Sequence, residues 1–251
     1  MKLVSLNILM GKITEPLLEF LQRQKSDTDI FCFQEVWEAP SNSEIEANPI
    51  EGSVPDTYSR LAKALDGFDG YLGPAQSSFG QRKATFVSKR LTVGHSGELG
   101  LCERERIDFA SRGFERGSGM QWLSLSVNGK TLTLGNVHGF WTPDGKGDIP
   151  QRIRQSKTLL EFMDGKQGQK ILCGDFNLNP DTESVRMIAE KFRDLVKEYG
   201  VKTTRSRLCR PGIGLFADYM FVSEGIKVTG FSVPDEEVSD HLPLLLSFEI
   251  L

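Results

Sequence analysis

An Asn-Gly pair at positions 128–129 stands between two strand-like runs, Met120 to Val127 and Thr131 to His138. Asn and Gly both tolerate the positive φ angles that a two-residue hairpin turn demands, and that turn's twist matches the twist of its strands. The chain is therefore expected to hold an antiparallel hairpin whose second strand closes on a histidine. This is the strongest local signal in the sequence, and it excludes an all-helical fold.

Around it, short apolar runs alternate with helical patterns, and no repeat period appears. Strands are predicted at 2–9, 29–34, 68–73, 84–88, 91–95, 169–174, 217–222, 226–233 and 243–250. The run Asp29 to Gln34 is almost wholly apolar, as expected of a strand buried on both faces. Helices are predicted from Thr14, from Asp56 to Gly67, over 151–164 and near 182–195, with Pro16 tolerated in a first turn. Residues 36–55 carry three prolines and no period, and read as a long loop of the kind that often serves function. Residues 103–116 read as a second loop, its four arginines balanced by Glu103, Glu105, Asp108 and Glu115. Helices mixed with hairpins predict an α/β (α+β) protein, and no linker divides the 251 residues, so one domain over 1–251 is expected.

Composition removes several function classes. A net charge of −4 advertises no broad nucleic-acid surface, so a polyanion would have to be gripped locally. The cysteines at 32, 102, 173 and 209 form no CxxC pair, and Cys32 and Cys173 sit inside apolar runs. A reducing, cytoplasmic setting and a monomer are expected. The apolar stretch after Lys2 is short, broken by Asn7 and lacks a cleavage site. No run approaches the roughly 18 apolar residues of a membrane span, so stable membrane insertion is not expected.

The unusual feature is polarity at the ends of apolar strands. Asn7 lies in the first strand, Gln34-Glu35 ends the second, and His138 ends the hairpin. Asp175 and Asn177 follow Ile171-Leu172-Cys173-Gly174, Asp218 opens Asp-Tyr-Met-Phe-Val, and Ser239-Asp240-His241 precedes a final apolar run. Singly, each is an ordinary turn former. Together they hold two of the protein's three histidines. If the strands end on one rim, four carboxylates, three amides and two imidazoles converge there. Carboxylates gathered without Lys or Arg in the same motifs repel one another unless a cation neutralises them. A hard divalent ion does so, taking one or two carboxylates together with phosphate oxygens.

The ordered set Ser5-Leu6-Asn7, Phe33-Gln34-Glu35, Asn136-Val137-His138, Gly174-Asp175-Phe176-Asn177, Asp218-Tyr219 and Ser239-Asp240-His241 resembles the endonuclease/exonuclease/phosphatase superfamily. The resemblance implies a four-layer α/β/β/α sandwich of two packed mixed sheets flanked by helices. It also implies a Mg²⁺ or Mn²⁺ cofactor and a phosphate-ester substrate. By position, Glu35 would be the principal metal ligand, with Asn7 and Asp240 completing or supporting the metal site. Asp175 would orient and deprotonate the attacking water, and Asn177 would hold that water or a phosphate oxygen. His241, oriented by Asp218, and His138 would donate to the phosphoryl oxygens or the leaving group. Departures narrow the choice. Leu9 stands where abasic-site endonucleases of the superfamily carry an acid, and His138 where they carry Tyr, so an abasic-site role is not expected.

Substrate choice should lie in the rim loops. Lys202, Arg205, Arg207 and Arg210 form a stretch without acids, as do Arg82, Lys83, Lys89 and Arg90, and either could follow a nucleic-acid backbone or hold a phosphorylated head group. Phe140 and Trp141 follow the His138 motif and could stack on a base or belong to the core. The leading expectation is a metal-dependent phosphodiesterase acting on nucleic acid, with Arg205, Arg207, Arg210 and Trp141 contacting substrate. A phosphomonoesterase or lipid-head-group phosphodiesterase is the alternative. A non-catalytic binding module, the third, would not need Asp175 and His241.

Overall fold

The computed structural model describes residues 1–39, 51–78, 80–109 and 112–251. The centre of the predicted 36–55 loop lies outside the described residues. Among the described residues twelve strands form two six-stranded mixed sheets. The first comprises β1 (Lys2–Asn7), β2 (Ile30–Val36), β3 (Phe68–Leu72), β4 (Arg82–Ser88), β11 (Ile226–Ser232) and β12 (Leu244–Ile250), in the order β11-β12-β1-β2-β4-β3. The second comprises β5 (Thr92–Phe109), β6 (Arg112–Val127), β7 (Lys130–His138), β8 (Gln169–Asp175), β9 (Arg193–Asp194) and β10 (Asp218–Val222), in the order β5-β6-β7-β8-β10-β9. In each sheet one central pair is parallel, β1 with β2 and β7 with β8.

The strand period of two sorts side chains between layers. Leu3, Ile30 and Cys32 meet Leu134, Leu172 and Cys173 of the second sheet in one buried cluster. Their neighbours Val4, Phe31 and Phe33 face outward, against Leu17, Phe20 and Leu21 of α1 (Thr14–Gln24) and Leu61 of α2 (Thr57–Ala64). On the other side Leu159 and Met163 of α3 (Pro150–Asp164) and Val185 and Ile188 of α4 (Glu183–Ala189) cover the second sheet. The expected α/β/β/α layering is present. Cys32 and Cys173 are buried free thiols in the middle of it. Among the described residues no helix is long and apolar enough to cross a membrane.

Two expectations are corrected. Residues 103–109 and 112–116 are not a loop but the outer part of the β5–β6 ribbon, in which Glu105 lies opposite Arg116 and Arg106 opposite Glu115. The ribbon has solvent on both faces for most of this length, so it lacks the apolar alternation that reveals a strand; opposite charges across the ladder support it instead. The helix predicted near 182–195 ends at Ala189, and Asp194 then caps a separate short helix, α5 (Leu195–Glu198), by accepting from Lys197 N at 3.2 Å.

Strand direction delivers the polar ends to one rim. β1 pairs Asn7 with Gln34 of β2. Across the other sheet, His138, Asp175 and Asp218 lie side by side on β7, β8 and β10.

Candidate active site

The two carboxylates at the heart of the rim are aimed by unusual backbone. Glu35 has φ 55°, next to a register shift between Phe33 and Val36. That conformation costs a residue other than glycine on the order of 1–3 kcal/mol, and the bulge turns the side chain out of the pleat into a cleft. Asn177 also has φ 55°, which asparagine tolerates, and its N–H donates to Asp175 Oδ1 at 2.9 Å. Gly174 makes the approach possible: a Cβ there would stand 2.1 Å from the Val137 carbonyl oxygen.

The cleft holds about 410 Å³ and is lined by Glu35, Asp175, Asn177, Asp240 and His241, with Arg116, Arg205 and Trp141 around them. Asn7 is fully buried behind it. Its amide donates to Asp175 Oδ2 at 3.1 Å and accepts from Leu9 N at 3.0 Å, which holds the carboxylate in place. Burial would raise the Asp175 pKa, but His241, Arg205, His138 and Lys146 outweigh it and hold the carboxyl well below the usual range. Burial likewise opposes ionisation of Glu35, yet His138 and Arg116 hold its pKa down to about 2.

The two histidines are held differently. His241 Nδ1 lies 2.9 and 2.8 Å from the Asp218 oxygens, and its Nε2 is against Arg205 Nη1. Burial and Arg205 push its pKa down, Asp218 and Asp240 push it up, and the carboxylates prevail. His138 Nε2 accepts from Arg116 Nη2 at 2.7 Å, since an arginine can only donate. Its Nδ1–H then faces Gln76 Oε1 at 3.2 Å. Burial and Arg116 lower its pKa against the pull of Glu35, so this ring is neutral.

The donor set suits a hard divalent cation. Glu35 and Asp240 offer carboxylate oxygens at the cleft, and the buried Asn177 Oδ1 has no hydrogen-bond partner among the described residues. An orphaned buried amide oxygen beside ionised carboxylates is what an oxygen-seeking ion or its bound water would satisfy.

Of the rim residues named from sequence, Arg205, Arg210 and Trp141 line the cleft. Arg207 does not: its side chain is 77% exposed and its Nε lies 2.7 Å from Glu237. Phe140 is core, at 1% exposure. The second basic run also leaves the site, for Lys83 pairs with Glu98, Arg90 with Asp29, and Lys89 donates to Asp66 O.

Sequence reasoning missed Arg116, Gln76 and Lys146. Arg116 was assigned to ion pairs within its own segment; instead it sits 7% exposed, 3.7 Å from Glu35 and over the Trp141 ring. A signal existed. The Asn-Gly turn fixes Gly119 opposite His138, so the strand's continuation carries Arg116 to the rim. Lys146 donates to Phe216 O at 2.8 Å, and burial together with Arg205 brings its pKa down to about 8. Nothing in the local sequence marked Lys146 or Gln76.

Comparison with known proteins bears on the fold and the family. A curated relative, carbon catabolite repressor protein 4 homolog 3 of Arabidopsis thaliana, is 25% identical over 162 residues, covering 62% of this chain. The chain spans about a third of that relative's length (34%). Among solved structures, the mannosyl-6-phosphatase Bt3783 of Bacteroides thetaiotaomicron superposes with a TM-score of 0.74 at 17% identity, covering 100% of both chains. The human Nocturnin catalytic domain with a bound sulfate anion superposes at 0.70 and 18% identity, covering 100% of this chain and 94% of that one. These likenesses establish a shared fold. A sequence model of the Endonuclease/Exonuclease/phosphatase family matches residues 4–241. The chain belongs to that family of phosphoester hydrolases.

Proposed function

We propose that this chain is a divalent-metal-dependent phosphodiesterase that hydrolyses nucleic acid at a strand end, by in-line attack of water, as a single catalytic domain over 1–251. The observation that carries this reading is the gathering of Glu35, Asp175, Asn177, His241, Arg116 and Arg205 around one cleft. Glu35 and the Asn177 amide oxygen would hold Mg²⁺ or Mn²⁺, with Asp240, paired to Arg205, supporting the site from the other flank. Such an ion, when bound, supplies charge stabilisation at the ester oxygens.

The chain's own residues do the rest. Asp175, braced by Asn7 and by Asn177 N–H, aims the attacking water and takes its proton as the bond to phosphorus forms. A carboxylate held this acidic takes that proton late, so orientation is its larger contribution. In the protonated form that Asp218 and Asp240 favour, His241 donates from Nε2 to the developing charge, beside the Arg205 N–H groups that meet the same oxygens. Arg116 and Arg205 present fixed N–H groups to the non-bridging oxygens, and phosphoryl transfer is served chiefly by such positioning and charge. His138 stays neutral and braces Arg116.

The size of the recognised group follows from the cleft. The cations that could track a long polyanion are paired elsewhere: Arg207 with Glu237, Arg90 with Asp29, Lys83 with Glu98. Trp141, Leu208 and Ile213 give the cleft an apolar wall of the kind on which one base can rest. A second reading, phosphomonoester hydrolysis, is favoured by the four cations Lys12, Arg116, Arg205 and Arg210 on one small cleft, a charge suited to a dianion.

The test is a panel of end-labelled oligonucleotides, sugar phosphates, inositol phosphates and sphingomyelin, each with Mg²⁺, Mn²⁺ or EDTA. Metal-dependent release of terminal nucleotides is expected. Turnover of sugar phosphates alone moves the assignment to the second reading, and an unchanged rate in EDTA removes the metal role of Glu35.

A further inference from the structure

The cleft has two flanks of cation-binding character. Glu35 stands on one. On the other, Asp175, Asp218 and His241 bring one ligand atom each within 4.8 Å of one another, beside Asp240. Such a cluster has the spacing for a second cation.

A charged group of the chain already stands against that cluster. Arg205 Nη1 lies 3.1 Å from Asp240 Oδ2 and also meets His241 Nε2. His241 Nδ1 is committed to Asp218. With both ring nitrogens engaged, the imidazole has no lone pair left for a metal. Asp175 is held in place by Asn177 N and Asn7 Nδ2.

The arginine is fixed there by its backbone. Arg205 bridges His241, Ser206 N donates to Asp240 O at 3.1 Å, and Leu242 N donates to Thr204 O at 2.9 Å. Thr204 Oγ1 in turn accepts from Ala217 N and Asp218 N. One short segment therefore ties Arg205 to both carboxylate elements it faces. Its side chain is 7% exposed, and a guanidinium keeps its charge at any working pH.

Resting on the metal-dependent reading above, we propose that the Arg205 guanidinium is a built-in second cation. The site then takes one divalent ion, on the Glu35 side, where a pair of ions would otherwise fit.

The test counts Mn²⁺ bound to the purified full chain, by the electron paramagnetic resonance signal of the free ion. Melting curves establish that each variant is folded. One bound ion is expected in the wild type and in R205K. Two are expected in R205Q and R205M, the second within about tenfold of the first in affinity, a cost of about 1.4 kcal/mol. The R205Q/D240N double variant returns to one. Two ions in the wild type, or one in both folded R205Q and R205M, overturn the inference and leave the metal reading standing. No ion in the wild type, or binding that E35Q does not remove, overturns the metal reading and the inference with it.

Discussion

The two flanks of the cleft are built on one plan and differ in the charge of the group behind one ring nitrogen. Each places a histidine at the edge of the sandwich with an arginine against its Nε2, His138 with Arg116 and His241 with Arg205. Behind Nδ1, however, His241 has the Asp218 carboxylate and His138 has the Gln76 amide. The His241 pKa is raised and the His138 pKa lowered, although both rings are buried beside a guanidinium. Burial and a neighbouring cation disfavour the imidazolium on both sides; only an anion behind the ring reverses that. One flank can therefore hold a proton for the reaction, while the other is a rigid neutral brace.

The largest effect should follow from removing the proton-holding flank or the carboxylate beside it. H241A and D175N are expected to lower kcat by about 10³-fold or more while circular dichroism and melting stay near wild type. Wild-type turnover in either would end the assignment. Next, D218N should cost about 10²-fold and move the His241 limb of the pH–rate profile to lower pH, because the anion that favours the charged ring is gone. Q76A should leave that limb in place. Equal shifts from the two substitutions would erase the distinction between the flanks. Q76E sharpens it from the other side: an anion behind His138 should raise that ring's pKa, which histidine NMR titration reads directly.

The smallest effect is on stability. Glu35 has a folded-state pKa of about 2 against an ordinary 4.5. A depressed carboxyl contributes stability above its unfolded pKa and loses it as pH falls through the folded value. This shift corresponds to about 3 kcal/mol. Measured in EDTA by denaturant unfolding, E35Q should be less stable than wild type above about pH 4.5, and the two should converge toward pH 2. A difference that persists unchanged at pH 2 would place the effect in packing and not in charge.

Much of this was legible in the chain because its signals are periodic or positional. The Asn128-Gly129 turn, the buried runs of β2 and β8, and the polar residues closing them predicted the α/β class and the residues of the rim, while the layering came from the family resemblance. What escaped lies where period gives no information. The solvent-bathed ribbon carrying Arg116 has charges on both faces, so it read as a loop with internally balanced ions. Gln76 and Lys146 lie in irregular segments, and only tertiary packing brings them to the site; Arg152, for one, fixes the Lys146 loop by donating to Gly145 O and Gly147 O. Arg207 shows the converse, since a run of like charges in sequence does not keep its members on one surface.

The account stands or falls on where an ion and a phosphate sit together. Anomalous diffraction from crystals soaked in Mn²⁺ and a non-hydrolysable phosphorothioate nucleotide reads both positions at once. The account predicts one manganese peak bonded to Glu35, with the phosphorus centre between Asp175 and His241 and the two guanidiniums on its oxygens. A manganese peak remote from Glu35, or a phosphate held outside this cleft, would contradict it.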